Sequence, residues 1–381
     1  MKPRPSDPSQ LSINYFFPSG QTNLVWSDEA ARRTPRINRD NLLELAKTAE
    51  QVGFDSLFIA DNWSGHQREA ERAGHQAPAF HAPLLAMGLF AVTSHIGVIT
   101  TFHTTHHKPA HVARMGANLD AFSDGRWGWN VVTGHSADEA ALFGDPFIEH
   151  DERYARAAEF VEIVERLWAE TEPIDVDGKY YRVRGRIKAP RPAQQPHPLL
   201  VSAGASTAGT QFAADWCDAL VTLAKDDAGL RAVDDRLRTL TTVNGRDVGT
   251  WPFCITLIRD GDGQAEEEFE YLLESLNTEA ARELAADILG SIQTAAAMFE
   301  KMGEEQAVRE FGSGGAEVQL IGTPEQVAAK LISLKQNANA SGALLNFPLW
   351  SPQEISGFAR VLPYLREAGI WTPPREREWS W

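Results

Sequence analysis

The 381-residue chain has only two cysteines, Cys217 and Cys254. They stand far apart and no C-x-x-C occurs, so neither a disulfide framework nor a paired-thiol centre is encoded. Each reads as a small buried hydrophobe. Positive charge is scarce as well. The formal net charge of −16 leaves no basic footprint for a nucleic-acid partner and repels anionic membranes. No apolar run is long enough to span a bilayer, and the polar, proline-rich stretch from Met1 to Gln10 has no apolar signal region. These absences predict a cytoplasmic protein with no nucleic-acid or membrane partner. A Gly-x-Gly-x-x-Gly turn after a strand is also missing, so a tightly bound dinucleotide is not encoded in the usual way.

What the chain does have is a core and a rhythm. Apolar residues make up 43% of it, enough to bury a sizeable interior. Eight short apolar runs begin at Ile13, Ser56, Gly97, Trp127, Leu199, Ala219, Pro252 and Ala343. Most are followed by a helical pattern, as in residues 38–51, which close on Gly53. Strand–helix alternation requires parallel strands, because each helix carries the chain back across the sheet. Eight such units predict an α/β fold, a (β/α)8 TIM barrel spanning 1–381 as a single domain. An open doubly wound sheet is the alternative. Three segments break the rhythm: IDVDGKYYRV (174–183) reads as a hairpin, residues 264–316 as an acidic, Ala-rich helical insertion, and 371–381 as an irregular tail.

In such a barrel the chemistry sits at the C-terminal ends of the strands. That places Asp61 and Asn62 after the second strand, Thr101, Phe102 and His103 at the third, and Asn130 and His135 around the fourth. Gly204 and Ser206 follow the fifth, Cys254 lies on the seventh, and Phe347, Leu349 and Trp350 follow the eighth. This mouth is rich in aromatics, hydroxyls and amides and poor in paired carboxylates. In HDERYARAAEF, Asp151 is expected to cap a helix whose first turn carries Arg153 and Tyr154, a seat for phosphate. VSAGAST is a second anion-friendly turn, with Gly204 and Ser206 before a helix. A phosphate touched by both elements is a monophosphate. The run His103-Thr104-Thr105-His106-His107 suggests a metal-dependent barrel hydrolase as a rival, but no carboxylate pair accompanies it. The other reading makes His103 and His135 donors or acids near a substrate. Cys254 has no cationic neighbour to activate it as a nucleophile.

Several separated motifs then fall into one order: NVVTG after the fourth strand, the DERY helix start, QQPHP before VSAGAS, and IGTPEQVAAKL near the end. On these the chain resembles the bacterial-luciferase-like flavin monooxygenases, nearest the branch of pyrimidine, dimethyl sulfone and alkanesulfonate monooxygenases. The resemblance implies the same barrel and reduced FMN supplied by a separate NAD(P)H-dependent flavin reductase, with O2 as co-substrate and no metal. It also implies residue roles. Asp61 and Asn62 match flavin-contacting positions. Thr101 and Asn130 match the pair that flanks the flavin N5 edge and its bound oxygen. Glu139, Arg153, Tyr154 and Ser206 match ribityl or phosphate contacts. Fixed donors of this kind suit oxygen activation, with the cofactor carrying the hard chemistry. A non-catalytic flavin-binding barrel is the third class to consider.

The chain departs from the sulfonate enzymes. Its seventh-strand segment WPFCITLIRD offers Phe253, Cys254 and Ile255 as inward candidates, and Phe347 and Leu349 stand where those enzymes resemble Tyr and His. A buried sulfonate without a cation is costly. The expected substrate is therefore small and neutral, held by Trp26, Trp63, Phe102, Cys254, Phe347, Leu349 and Trp350. An N-heteroaromatic ring is favoured, with a sulfone or other small organosulfur compound as the alternative. His135 follows NVVTG where both branches carry Trp, so neither specificity transfers directly. Of the 11 tryptophans, Trp371, Trp379 and Trp381 are expected to seal the interface of a homodimer or homotetramer.

Overall fold

All eight apolar runs become strands of one closed parallel barrel: β1 (Ser12–Phe16), β2 (Ser56–Ile59), β3 (Gly97–His103), β4 (Trp127–Val132), β5 (Leu199–Ser202), β6 (Ala219–Thr222), β7 (Gly249–Ile258) and β8 (Gly342–Asn346). Each strand pairs with the next, and β8 returns to β1. The computed structural model describes residues 2–3, 9–21, 27–63, 68–72, 74, 77–134, 136–204, 206–283, 303–314 and 317–377.

Alternation along each strand sorts the side chains into two shells. The inner shell is a cluster of Phe16, Phe58, Ile99, Val201, Val221, Trp251, Phe253 and Leu344 inside the barrel. The outer shell, with Tyr15, Leu57, Val98, Trp127, Trp129, Leu200 and Leu345, packs under the helices. Burial on both faces explains why the strands read as unbroken apolar runs. The helix Arg39–Val52 is capped by Asn38 and ends at Gly53, whose φ of 108° requires glycine. Trp371 packs directly against Gly53 and is only 5% exposed. The expectation that Trp371 seals a subunit interface is therefore wrong, since its ring completes its own chain's core. Trp379 and Trp381 lie outside the described residues.

The 174–183 hairpin forms, with Ile174–Asp177 antiparallel to Arg182–Gly185. One barrel-associated strand was not expected. Val318–Gly322 pairs with the upper half of β7, from Cys254 to Ile258, outside the closed ring. It returns from the insertion, whose described helices are Gln264–Glu274 and Glu304–Ser313; residues 284–302 lie outside the described part. Ile255, Leu257, Phe269, Leu273, Ile321 and Leu349 form a small core of their own there. Among the described residues, no helix is long and apolar enough to cross a membrane.

Candidate active site

The mouth of the barrel is built from adjacent strands in register. Thr101 on β3 stands directly opposite Asn130 on β4. Thr101 follows inner-shell Ile99 at a spacing of two, and Asn130 lies between outer-shell Trp129 and Val131, so both face the lumen. The Thr101 hydroxyl donates to the Ile59 carbonyl at 3.0 Å, and the Asn130 amide donates to Thr101 Oγ1 at 2.9 Å. Asn130 Oδ1 is buried without a partner, an acceptor held ready for a bound group. One layer above Thr101, His103 is buried beside Glu139, with Nε2 3.8 Å from Oε2. His106 Nε2 lies 3.5 Å from the same oxygen, and Trp63 N–H donates to Glu139 Oε1 at 2.6 Å. Burial holds the His103 imidazole down at about 4, against the upward pull of Glu139. It is neutral at physiological pH, a hydrogen-bonding group with no proton to give as an acid. Among the described residues no group of three His, Cys, Asp or Glu side chains is arranged to hold a metal ion.

The connections after β4 and β5 bring two anion-friendly turns together. Ser206 caps the helix Thr207–Trp216, its hydroxyl accepting from Gly209 N–H at 3.0 Å. The Tyr154 hydroxyl lies against the same turn. A methyl group on Gly204 would stand 2.4 Å from that oxygen, and one on Gly209 would stand 2.8 Å from it. Burial pushes the Tyr154 hydroxyl up from its ordinary range, opposed by the nearby Ser206 side chain, Arg153 and the Thr133 side chain. Arg153 is buried, donates to the Gly134 carbonyl, and lies over the Phe147 ring at 5.3 Å. Its Nε is buried without a partner. A helix N-terminus, two glycines that admit close approach, a tyrosine and an arginine fit a phosphomonoester. We expect Gly204→Ala to push the Tyr154 hydroxyl aside and raise the dissociation constant for FMN about 10-fold or more, a change of about 1.4 kcal/mol. Titration of FMN fluorescence checks this, and an unaltered constant would remove Gly204 from the seat.

Not every residue expected at the mouth is there. Phe102 packs edge-on to Trp127 at 6.2 Å in the outer shell. Cys254 belongs to the outer shell too, and burial pushes its thiol well up, so it is no nucleophile. Phe347 meets Tyr15 at 5.5 Å and Phe54 at 6.2 Å under the helices. Each directly follows a lumen-facing residue (Thr101, Phe253 and Asn346), and in a strand the next side chain points to the other face. Leu349 is spent in the insertion's small core. Trp350 is 1% exposed and donates to the Gln21 carbonyl at 2.9 Å. Asp61 accepts from Ala82 N–H at 2.8 Å and contacts His81 Nδ1 at 2.6 Å, holding a helix start. Asn62 is exposed, and Trp63, at 36% exposure, lies tilted on His81 at 4.8 Å and edge-on to Phe143 at 5.2 Å. Asp151 does not cap its helix. The helix begins at His150, and Asp151 stands exposed. Trp26 and His135 lie outside the described residues. The sequence reading passed over Asn346, the last residue of β8, fully buried on the lumen face; strict alternation from Leu344 was the signal.

A barrel whose mouth joins a turn that fits a phosphomonoester to an uncharged amide–hydroxyl pair on β3 and β4 suits a flavin-mononucleotide oxidoreductase. Residues 19–341 match the family of luciferase-like monooxygenases, and the chain belongs to it. It is 29% identical to the dibenzothiophene-sulfone monooxygenase of Rhodococcus erythropolis, over 94% of this chain and 93% of that enzyme. It is also 29% identical to the pyrimidine monooxygenase RutA of Acinetobacter baylyi, over 88% and 90%. Its fold superposes on a riboflavin lyase solved with modified FMN and riboflavin, with a TM-score of 0.87, 25% identity, and coverage of 97% of this chain and 95% of that one. The chain is thus a flavin-dependent monooxygenase using reduced FMN and O2, from a family of two-component enzymes served by a flavin reductase.

Proposed function

We propose that this monooxygenase oxygenates a small neutral substrate, an N-heteroaromatic ring before a sulfone. One observation carries the neutrality. On the eight strands, the positions sharing a face with the inner cluster are Ser, Asn, Phe, Gly, Ile, Thr, His, Val, Leu, Ala and Trp, with no Lys, Arg, Asp or Glu among them. Phe347 carries no part of this, since it packs in the outer shell, and Leu349 joins the cluster of Ile255 and Leu257. A charged substrate held there would lack a counter-ion.

Reduced FMN, when bound, supplies two electrons to O2, so that one oxygen atom enters the substrate and the other leaves as water. Arg153, Tyr154, Gly204 and Ser206 would hold its phosphate. Asn130 presents a fixed acceptor on the lumen wall, and Thr101 fixes the orientation of Asn130. The surrounding aromatic and aliphatic shell keeps bulk water from the reacting atoms. A second reading, oxidation of an organosulfur compound, is favoured by the sulfone relative. Oxygen uptake with photoreduced FMN, combined with product mass under 18O2, tests both. The panel contains a pyrimidine, 2-pyridone, dimethyl sulfone, dibenzothiophene sulfone and an alkanesulfonate. We expect one labelled oxygen in the product of a neutral substrate. Turnover of the sulfonate alone, or of no member, refutes the proposal.

A further inference from the structure

We propose that Asn346 is a specificity-determining residue, and that it reads an adjacent N–H and C=O on the edge of a cyclic amide or imide substrate. The inference builds on the monooxygenase reading above.

Asn346 ends β8, two residues after Leu344 of the inner cluster, while Ala343 and Leu345 belong to the outer shell. Its carboxamide therefore faces the lumen. It is fully buried, and neither Oδ1 nor Nδ2 has a partner. Among the described residues it is the only carboxamide with both ends buried and unpaired. The other amides of the barrel wall are engaged. Asn14 donates to Ser12 Oγ at 2.9 Å and accepts from Ser56 Oγ at 2.7 Å, and Asn130 donates to Thr101. Burying a carboxamide with nothing to bond is costly, and positions that break this rule without compensation mark functional sites.

The surroundings say what would satisfy it. Asn346 is in register with Ile255 on β7, and its neighbour Leu345 pairs with Tyr15 on β1, next to Phe16. Phe16 and Phe253 meet edge-on at 4.8 Å. A flat apolar ring with one polar edge matches that setting. In an eight-stranded ring, β8 stands opposite β4, so Asn346 faces the lumen from the wall opposite Asn130, whose strand leads to the phosphate seat. A carboxamide offers a donor and an acceptor side by side in one plane. Its bidentate complement is an N–H beside a C=O, the logic by which Asn reads an adenine edge. A sulfone presents acceptors only and would leave Oδ1 unpaired, so the amide favours the heterocycle.

The flavin carries a cyclic imide edge of its own, and the test separates the two sources. Asn346→Leu and Asn346→Asp are compared with the unchanged protein in three measurements: KM for uracil and 2-pyridone with photoreduced FMN, Kd for FMN, and Tm of the ligand-free protein. We expect KM for the lactam and imide probes to rise about 10- to 100-fold in both variants, with the FMN Kd unchanged within threefold. The Tm of Asn346→Leu should hold or rise, because an unpaired amide has been replaced by a near-isosteric apolar group. A matching loss of FMN binding assigns the amide to the cofactor and overturns the proposal. A fall in Tm for Asn346→Leu shows an internal structural role and overturns it too, as does turnover of the sulfones alone or an unchanged KM. Failure of the monooxygenase reading looks different: the unchanged protein then yields no labelled product from any probe.

Discussion

Replacing Asn130 by Ala will reduce oxygenated product by about 100- to 1,000-fold in kcat/KM, the cost of losing one fixed polar group at a reacting centre. FMN binding will stay within about an order of magnitude, since an unlost phosphate seat retains most of the affinity. The geometry separates the roles of the pair. The Thr101 proton is committed to the Ile59 carbonyl, and its oxygen receives the Asn130 amide. What remains to face a bound group is Asn130 Oδ1 and the second amide hydrogen. Thr101 is thus a positioning residue acting through Asn130. Thr101→Ala should lose turnover too, while Thr101→Ser, which keeps the oxygen, should recover most of it. A readout insensitive to folding completes the test: the fraction of O2 released as hydrogen peroxide should rise in Asn130→Ala and Thr101→Ala and return towards normal in Thr101→Ser. Unchanged coupling and turnover in Asn130→Ala would falsify the assignment.

The barrel was legible because parallel strands buried on both faces leave continuous apolar runs, and each helix has its own stops, such as Asn38 and Gly53. The return strand Val318–Gly322 was hidden. It is only five residues long, follows a glycine-rich stretch of sequence, and shares the single helix Pro324–Ala338 with the approach to β8. The convergence of the two anion-friendly turns was legible for a different reason. Arg153, Tyr154, Gly204 and Ser206 sit in short local motifs at element junctions, where local sequence and local geometry coincide. The lumen walls were read less well. Phe102, Cys254 and Phe347 were placed in the pocket by lying near strand ends, yet a one-residue step in a strand reverses the face. Counting in twos from Ile99, Phe253 and Leu344 puts Thr101 and Asn346 inside and those three outside. Asp61 also holds the helix start at Ala82, a tertiary contact that no local pattern announces.

Arg377→Met should destabilise the protein by about 3–5 kcal/mol, the cost of leaving a buried charge without its partner. Arg377 pairs with Asp55, and the two side chains are only 3% and 1% exposed. Asp55 Oδ2 accepts from Ile13 N–H at 2.7 Å, while its backbone bonds to Ile13 and Gly97. It therefore ties the starts of β1, β2 and β3, and the tail closes the barrel at the end away from the active site. Burial pushes the Asp55 carboxyl above its usual range, and Arg377 is the largest influence opposing that rise. Without Arg377 the folded-state value climbs further, while the unfolded value stays near the ordinary one. Between those two values the folded state holds the extra proton, so stability increases as pH falls through the window. Urea melts should accordingly show a larger loss at pH 8 than at pH 5. The double variant Asp55→Asn/Arg377→Met should recover part of the loss at pH 8 by removing the unpaired charge, a positive coupling of the kind seen between contacting residues. A loss that is independent of pH and not relieved by Asp55→Asn would mean that the tail acts through packing, with Trp371 on Gly53 as the contact that matters.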